Sequence, residues 1–153
     1  MSRLASLLGV GRPAKIAAIG DMRKGPVVAA GTLTCPTPIN SPIRGRSCAG
    51  FFYRASHLGW RTVGPATRKP LVNALVYASP LRLLLSDETE VALVPRVLNE
   101  FDAEGHTRLA EQDLPGFTAR EKLLQVGSEV VVRGKARQRD GEWSILFDQI
   151  VPK

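Results

Sequence analysis

The side chains able to do chemistry are few and scattered. Two cysteines, Cys35 and Cys48, and two histidines, His57 and His106, are all the chain has of either type. A zinc site draws four Cys or His ligands from closely spaced pairs, and no C-x-x-C pair or His pair stands at such a spacing, so no metal is expected. A nucleophilic Cys48 would need His57 folded beside it as its base. The carboxylates Glu100, Asp102, Glu104, Glu111 and Asp113 crowd one polar stretch without a partner histidine or a regular spacing, which is the pattern of a solvated loop rather than of an acid–base pair. The run Gly9-Val10-Gly11-Arg12 is too short for a phosphate loop. The residues give no catalytic constellation and call for no cofactor, and the chain reads as non-enzymatic.

Cations are its more distinctive feature. The net charge is +7, unevenly placed: residues 1–80 carry eleven Lys or Arg against one acid, Asp21, whereas residues 81–153 carry ten against thirteen. Such asymmetry suits an anionic partner, whether nucleic acid, anionic lipid or an acidic protein face; the alternative is charge that merely keeps the protein soluble. The sharpest basic feature is Arg133, Lys135, Arg137 and Arg139, which alternate along a strand-like run and so repeat about every 6.6 Å on one face. That row can follow a phosphodiester backbone or an acidic protein edge, or it can be a charged edge strand that discourages sheet-to-sheet aggregation. Further candidates for partner binding are Arg44 and Arg46 in a Pro- and Gly-containing turn, Arg54 on the mixed face of an aromatic strand, and Trp60, Arg61, Arg68 and Lys69 in a stretch rich in breakers. A basic loop with an exposed aromatic is a feature of single-strand nucleic-acid surfaces; a tryptophan covering the end of a barrel is the competing reading of Trp60. An aromatic content of only 6% argues against a surface dominated by stacking residues.

The elements that must position these cations are mostly strands. With 153 residues, 44% of them hydrophobic, the chain is long enough for one well-packed domain, expected over 15–153 after an N-terminal tail or short docking helix over 1–14. The apolar run Leu4–Val10 is too short to span a bilayer; peripheral membrane contact through residues 1–12, with Arg3 and Arg12 on headgroups, is the lesser alternative to a protein contact. With no secretory signal, the cysteines are expected as reduced, buried thiols in a cytoplasmic protein. Val27, Ala29, Gly31, Leu33 and Cys35 fall on one face of a first strand, in which the small Ala29 and Gly31 permit tight curvature or close approach of another backbone. Pro36, Pro38 and Pro42 end it. The aromatic strand Cys48–Ser56 is expected to return to the same barrel. Residues 58–80 read as a long connection with a strand near Leu71–Tyr77, and Leu81–Leu85 with Val91–Pro95 as a hairpin.

A capping box formed by Thr118 and Glu121, an apolar side of Leu123, Leu124 and Val126, and a stop at Gly127 predict a short helix over 118–127. The last hairpin is the clearest local signal: Glu129–Arg139 alternates, Asp140-Gly141 is a two-residue turn requiring positive φ, and Trp143, Ile145 and Phe147 line one face of the final strand. The order of elements gives an all-β fold class, a small OB-like Greek-key barrel with one short helix before the final hairpin.

The stretch G-P-V-V-A-A-G-T-L from Gly25, S-P-I-R-G-R-S-C from Ser41, the strand F-F-Y-R, then Trp60, L-L-L-S-D-E-T-E-V-A-L-V-P and V-G-S-E-V-V-V-R-G-K-A resemble, in that order, the GIDE (or BAM) domain of mitochondrial and chloroplast membrane ubiquitin ligases and their prokaryotic relatives. The resemblance covers about residues 15–151. It lacks the cysteines of a RING and any spanning segment, so it implies neither ubiquitin transfer nor membrane integration. It implies an OB-like module that binds a partner, a protein above all, as an adaptor or small subunit of a larger assembly. Single-stranded nucleic acid on a basic face is the alternative partner.

Overall fold

The computed structural model of the protein describes residues 12–58, 68–97 and 116–153, without the side chains of residues 69 and 70. The expected N-terminal docking helix and membrane contact, Trp60, Arg61, His106 and the acidic stretch over 98–115 lie outside the described residues. In chain order the elements are β1 (Ala14–Ile16), a 3₁₀ turn (Ile19–Asp21), β2 (Gly25–Thr34), β3 (Ile39–Asn40), β4 (Ser47–Cys48), β5 (Gly50–Leu58), β6 (Arg68–Tyr77), β7 (Leu81–Leu84), β8 (Glu90–Pro95), β9 (Thr118–Leu124), β10 (Glu129–Arg139) and β11 (Glu142–Pro152). They belong to two compact units, Met1–Thr37 with Ser79–Val97 and Val126–Lys153, and Pro38–Ala78 with Leu98–Gln125.

The first unit is a closed five-stranded barrel. Its circuit runs β2–β7–β8–β11–β10 and back to β2, with β1 added in parallel on β2. Counted in chain order, the barrel strands follow one another as first, second, third, fifth, fourth; only the third and fifth, β8 and β11, pair in parallel. This is the OB-type Greek-key circuit. Alternation builds its core: Val27, Ala29 and Leu33 from β2, Leu81 and Leu83 from β7, Val91 and Leu93 from β8, Val130, Val132 and Ala136 from β10, and Ile145 and Phe147 from β11 are all buried. Burial of each large aliphatic or aromatic side chain contributes about 1.5–3 kcal/mol, and a slip by one residue would expose a whole row.

Closure depends on missing side chains, as the small residues of the first strand predict. β2 pairs with β10 and also, through Thr32–Thr34, with β7. At Gly31 an added Cβ would run into the carbonyl oxygen of Leu84, with Leu83 Cγ only 3.0 Å away. The final hairpin turns at Asp140 (φ 53) and Gly141 (φ 80), both left-handed, as a two-residue primed turn demands. The β7–β8 turn has no glycine, and Glu88 takes the positive φ of 66 instead. There Leu85 N–H donates to Thr89 O at 2.9 Å, and the Asp87 carboxylate accepts from Thr89 N–H at 3.2 Å.

The second unit is built from the connections between β2 and β7 and between β8 and β10. It is a three-stranded antiparallel sheet in the order β6–β5–β9, together with the β3–β4 pair. Cys48, Phe51, Tyr53 and Ala55 form its core, against which Ile39, Val72, Val76, Phe117, Ala119 and Leu123 pack. Pro70 lies on the edge strand β6 beside the bulge at Ala55/Ser56, where a missing ladder donor is tolerated.

Two expectations are corrected. The aromatic strand does not rejoin the barrel begun by β2: among the described residues β5 pairs with β6 and β9 alone, because its partners are selected by long-range register rather than by proximity along the chain. The helix expected over 118–127 is a strand, β9, in the connection where an OB barrel usually carries its helix. Ala119, Glu121 and Leu123 alternate with Arg120 and Lys122 at period two, and antiparallel pairing with β5 supplies the backbone partners that a helix would otherwise have supplied. Gly127, at φ 86, belongs to the turn into β10, donating its N–H to Leu33 O at 2.8 Å.

Candidate functional site

The basic row forms on the barrel as the alternation requires. Arg133, Lys135, Arg137 and Arg139 are exposed while Val130, Val132 and Ala136 on the same strand are buried. Its position in the sheet corrects the edge-strand reading, since β10 lies between β2 and β11 and is hydrogen-bonded on both sides. Cross-strand register places Arg133 between Val28 and Gln149, Lys135 between Pro26 and Leu146, and Arg137 opposite Ser144. Arg137 Nε donates to Ser144 Oγ at 3.4 Å. On β1, Lys15 is exposed and pairs with Val28, which extends the same row across the sheet to Arg133. Half-buried Val28 lies between Lys15 and Arg133, and half-buried Val131 and Leu146 flank the row, while Glu142 stands opposite Arg139. Among the described residues, none of the four β10 cations is ion-paired; the nearby Asp148 carboxylate is bound instead by Arg96 at 3.1 Å.

The other candidates belong to the second unit. Arg44 and Arg46 stand in the turn over 41–46, and both are exposed. The Glu121 carboxylate on β9, its side chain 1% exposed, holds that turn from beneath: it accepts from Ser41 Oγ at 3.0 Å, Ile43 N–H at 2.8 Å and Arg44 N–H at 3.0 Å, with Arg44 Nε 3.9 Å away. Arg68 closes the end of the sheet, its Nη1 within reach of Gly116 O (2.9 Å), Ser56 Oγ (3.1 Å) and Thr118 Oγ1 (3.1 Å). That makes Arg68 a clip within the unit rather than an unengaged cation. Arg54 projects from the exposed face of β5, directly opposite Arg120 of β9. Reading 118–127 as a helix hid Arg120 and Lys122 from the sequence; the period-two alternation of that segment is the signal that exposes them.

The two cysteines and the described histidine are largely withdrawn from solvent. Cys35 and Cys48 are buried thiols, one in each unit. His57 is half-buried, with Nδ1 2.9 Å from Leu58 O. Among the described residues no group of three His, Cys, Asp or Glu is arranged to hold a metal ion, and no helix is long and apolar enough to cross a membrane. Two barrel carboxylates are held below their ordinary pKa. Asp21 accepts backbone N–H groups of Ala17 and Ala18, both at 3.1 Å, and Asp87 accepts the N–H of Ile19 at 3.0 Å. Together they fasten the loop between β1 and the 3₁₀ turn.

Comparison with protein-family models, with curated proteins and with solved structures finds no match to this chain.

Proposed function

We propose that this chain is a non-enzymatic protein-interaction module, an adaptor or small subunit that docks an acidic partner on the outer face of β1, β2, β10 and β11. The observation that carries this reading is the row Arg133, Lys135, Arg137 and Arg139 on a central strand, none of them ion-paired among the described residues although Glu142 stands opposite Arg139, and flanked by half-buried Val28, Val131 and Leu146. A central strand has no unpaired edge to protect, which removes the main folding reason for such a row. Cations flanked by apolar side chains are complementary to a protein surface that offers both carboxylates and aliphatic contact. The register puts no aromatic ring between the cations on which a base could stack. The likeness of Gly25–Tyr53 and of the later hairpins to a GIDE domain supports a module working inside a larger assembly. Exposed charge pairs add little affinity individually, and their collective field acts on the association rate and on partner choice.

The test is affinity capture from native extract with the wild-type chain and with Arg133→Glu/Arg137→Glu, both verified as folded. A partner with an acidic surface is retained by the wild type, elutes with salt and is lost with the reversed charges. Recovery of the same proteins by both chains overturns the reading.

A further inference from the structure

On a different surface, we propose that the exposed face of the β6–β5–β9 sheet binds single-stranded nucleic acid, stacking a base on Phe52 and carrying phosphates on Arg54, Arg120 and Lys122. Register fixes the arrangement. Phe52 lies between Lys122 on β9 and Leu75 on β6, and one step along the strand Arg54 lies between Arg120 and Asn73. The three cations are exposed, and the Phe52 side chain is itself 39% exposed on the middle strand. One step the other way, Tyr77 pairs with Gly50, its Cδ1 2.9 Å from where a glycine Cβ would stand, so its ring lies against the bare backbone of β5. The described carboxylate of this sheet, Glu121, is on the opposite, buried face.

Folding does not account for this face. Two arginines directly opposite each other on neighbouring strands are destabilising, and neither Arg54 nor Arg120 is ion-paired among the described residues. An aromatic ring at the centre of an open sheet would gain more from burial than from exposure. Both features make sense against a ligand that brings regularly spaced negative charge together with flat apolar rings. Single-stranded nucleic acid has that chemistry: its unpaired bases stack on aromatic side chains of a sheet while its phosphates meet Lys and Arg. A duplex keeps its bases stacked inside, and a run of acidic side chains brings charge without the ring that every nucleotide supplies.

The experiment is fluorescence anisotropy of an end-labelled oligothymidine with the full chain, across a salt series. Binding is expected at low ionic strength, where the phosphate contribution is largest. Phe52→Ala is expected to weaken it at least about fivefold, the lower end of the loss for one stacked base. Arg54→Gln/Arg120→Gln should reduce the magnitude of the logarithmic salt slope by about 1.4, since each phosphate contact with a single strand contributes about 0.7. Lys122→Gln gives an independent reduction of about 0.7 should the double variant fold poorly. Lys24→Gln, at an exposed cation of the first unit, should leave binding unchanged. The proposal is overturned by any of three results: no binding at low salt, binding that ignores Phe52→Ala and the sheet cations, or equal binding of the matching duplex or equal competition by polyglutamate.

Discussion

Glu121 on β9 accepts a hydrogen bond from the Ser41 hydroxyl at 3.0 Å, across 80 positions of sequence, and so fastens the turn that carries Arg44 and Arg46 to the sheet of the second unit. The same carboxylate takes the N–H groups of Ile43 and Arg44, and Ser41 Oγ in turn accepts from Arg46 N–H at 3.1 Å. One buried acid therefore organises the whole turn. Removing it leaves the buried Ser41 hydroxyl and two turn amides without their acceptor. Glu121→Ala is expected to destabilise the protein by about 2–3 kcal/mol, and Ser41→Ala by about 1 kcal/mol. Glu121→Gln should fall between wild type and Glu121→Ala, because its amide group would face donors with another donor. Urea unfolding measures all three, and a change below about 0.5 kcal/mol in Glu121→Ala, the size of an ordinary surface substitution, would show that the turn is held by other means.

Backbone contact makes Gly31 and Gly134 costly to replace. A Cβ on Gly31 would collide with Leu84 O, and one on Gly134 with Leu146 O and the Cα of Phe147. Neither obstacle is a flexible side chain. Gly31→Ala and Gly134→Ala should each cost about 1–3 kcal/mol in thermal or denaturant unfolding, as overpacking does. Gly20→Ala, where nothing lies within 4 Å, serves as the neutral control.

Acid should loosen the barrel before neutral pH changes anything. Asp21 and Asp87 have pKa values lowered chiefly by the backbone N–H groups they accept, so the folded state favours their ionised forms. Their contribution is complete above the ordinary carboxylate pKa and is lost as pH falls through the lowered folded value. Wild-type melting temperature should therefore decline below about pH 4, and Asp21→Asn/Asp87→Asn should melt lower at neutral pH with a shallower acid decline. Parallel acid limbs in the two proteins would refute this assignment.

The alkaline side is read by tyrosine, of which the chain has only Tyr53 and Tyr77. Burial raises both phenols above their ordinary value, so the folded state keeps them neutral. Their contribution is intact below the ordinary value near 10 and declines as pH rises toward the raised folded values. Phenolate absorbance in the native protein should appear above the pH at which it appears in urea. Coincident titrations would contradict the burial of these rings.

Much of the barrel was legible in the residues themselves. The alternation of Val27, Ala29 and Leu33, the Asp140-Gly141 turn and the row Arg133 to Arg139 all depend on period-two geometry and local turn chemistry, which a strand obeys wherever it is placed. The OB-like barrel class was legible too, although the expected order placed in it an aromatic strand that pairs elsewhere and a helix where β9 stands. The site was legible in part, because Arg54 and the β10 cations could be read as exposed from alternation alone.

What the residues could not settle was which strands share a sheet. The segment 118–124 satisfies both a capping box and an alternating strand, and only pairing with β5 decides between them, turning Glu121 from a helix cap into the buried anchor of a distant turn and bringing Arg120 opposite Arg54. Likewise the four β10 cations suit an edge or a centre equally well by sequence. Local periods are properties of neighbouring residues, so the sequence by itself determined the strands, the tight turn and the charged row. Hydrogen-bond partners are chosen by long-range register and by burial of one face, so only the tertiary structure decided that these strands divide between a barrel and a second sheet, each with its own cationic face.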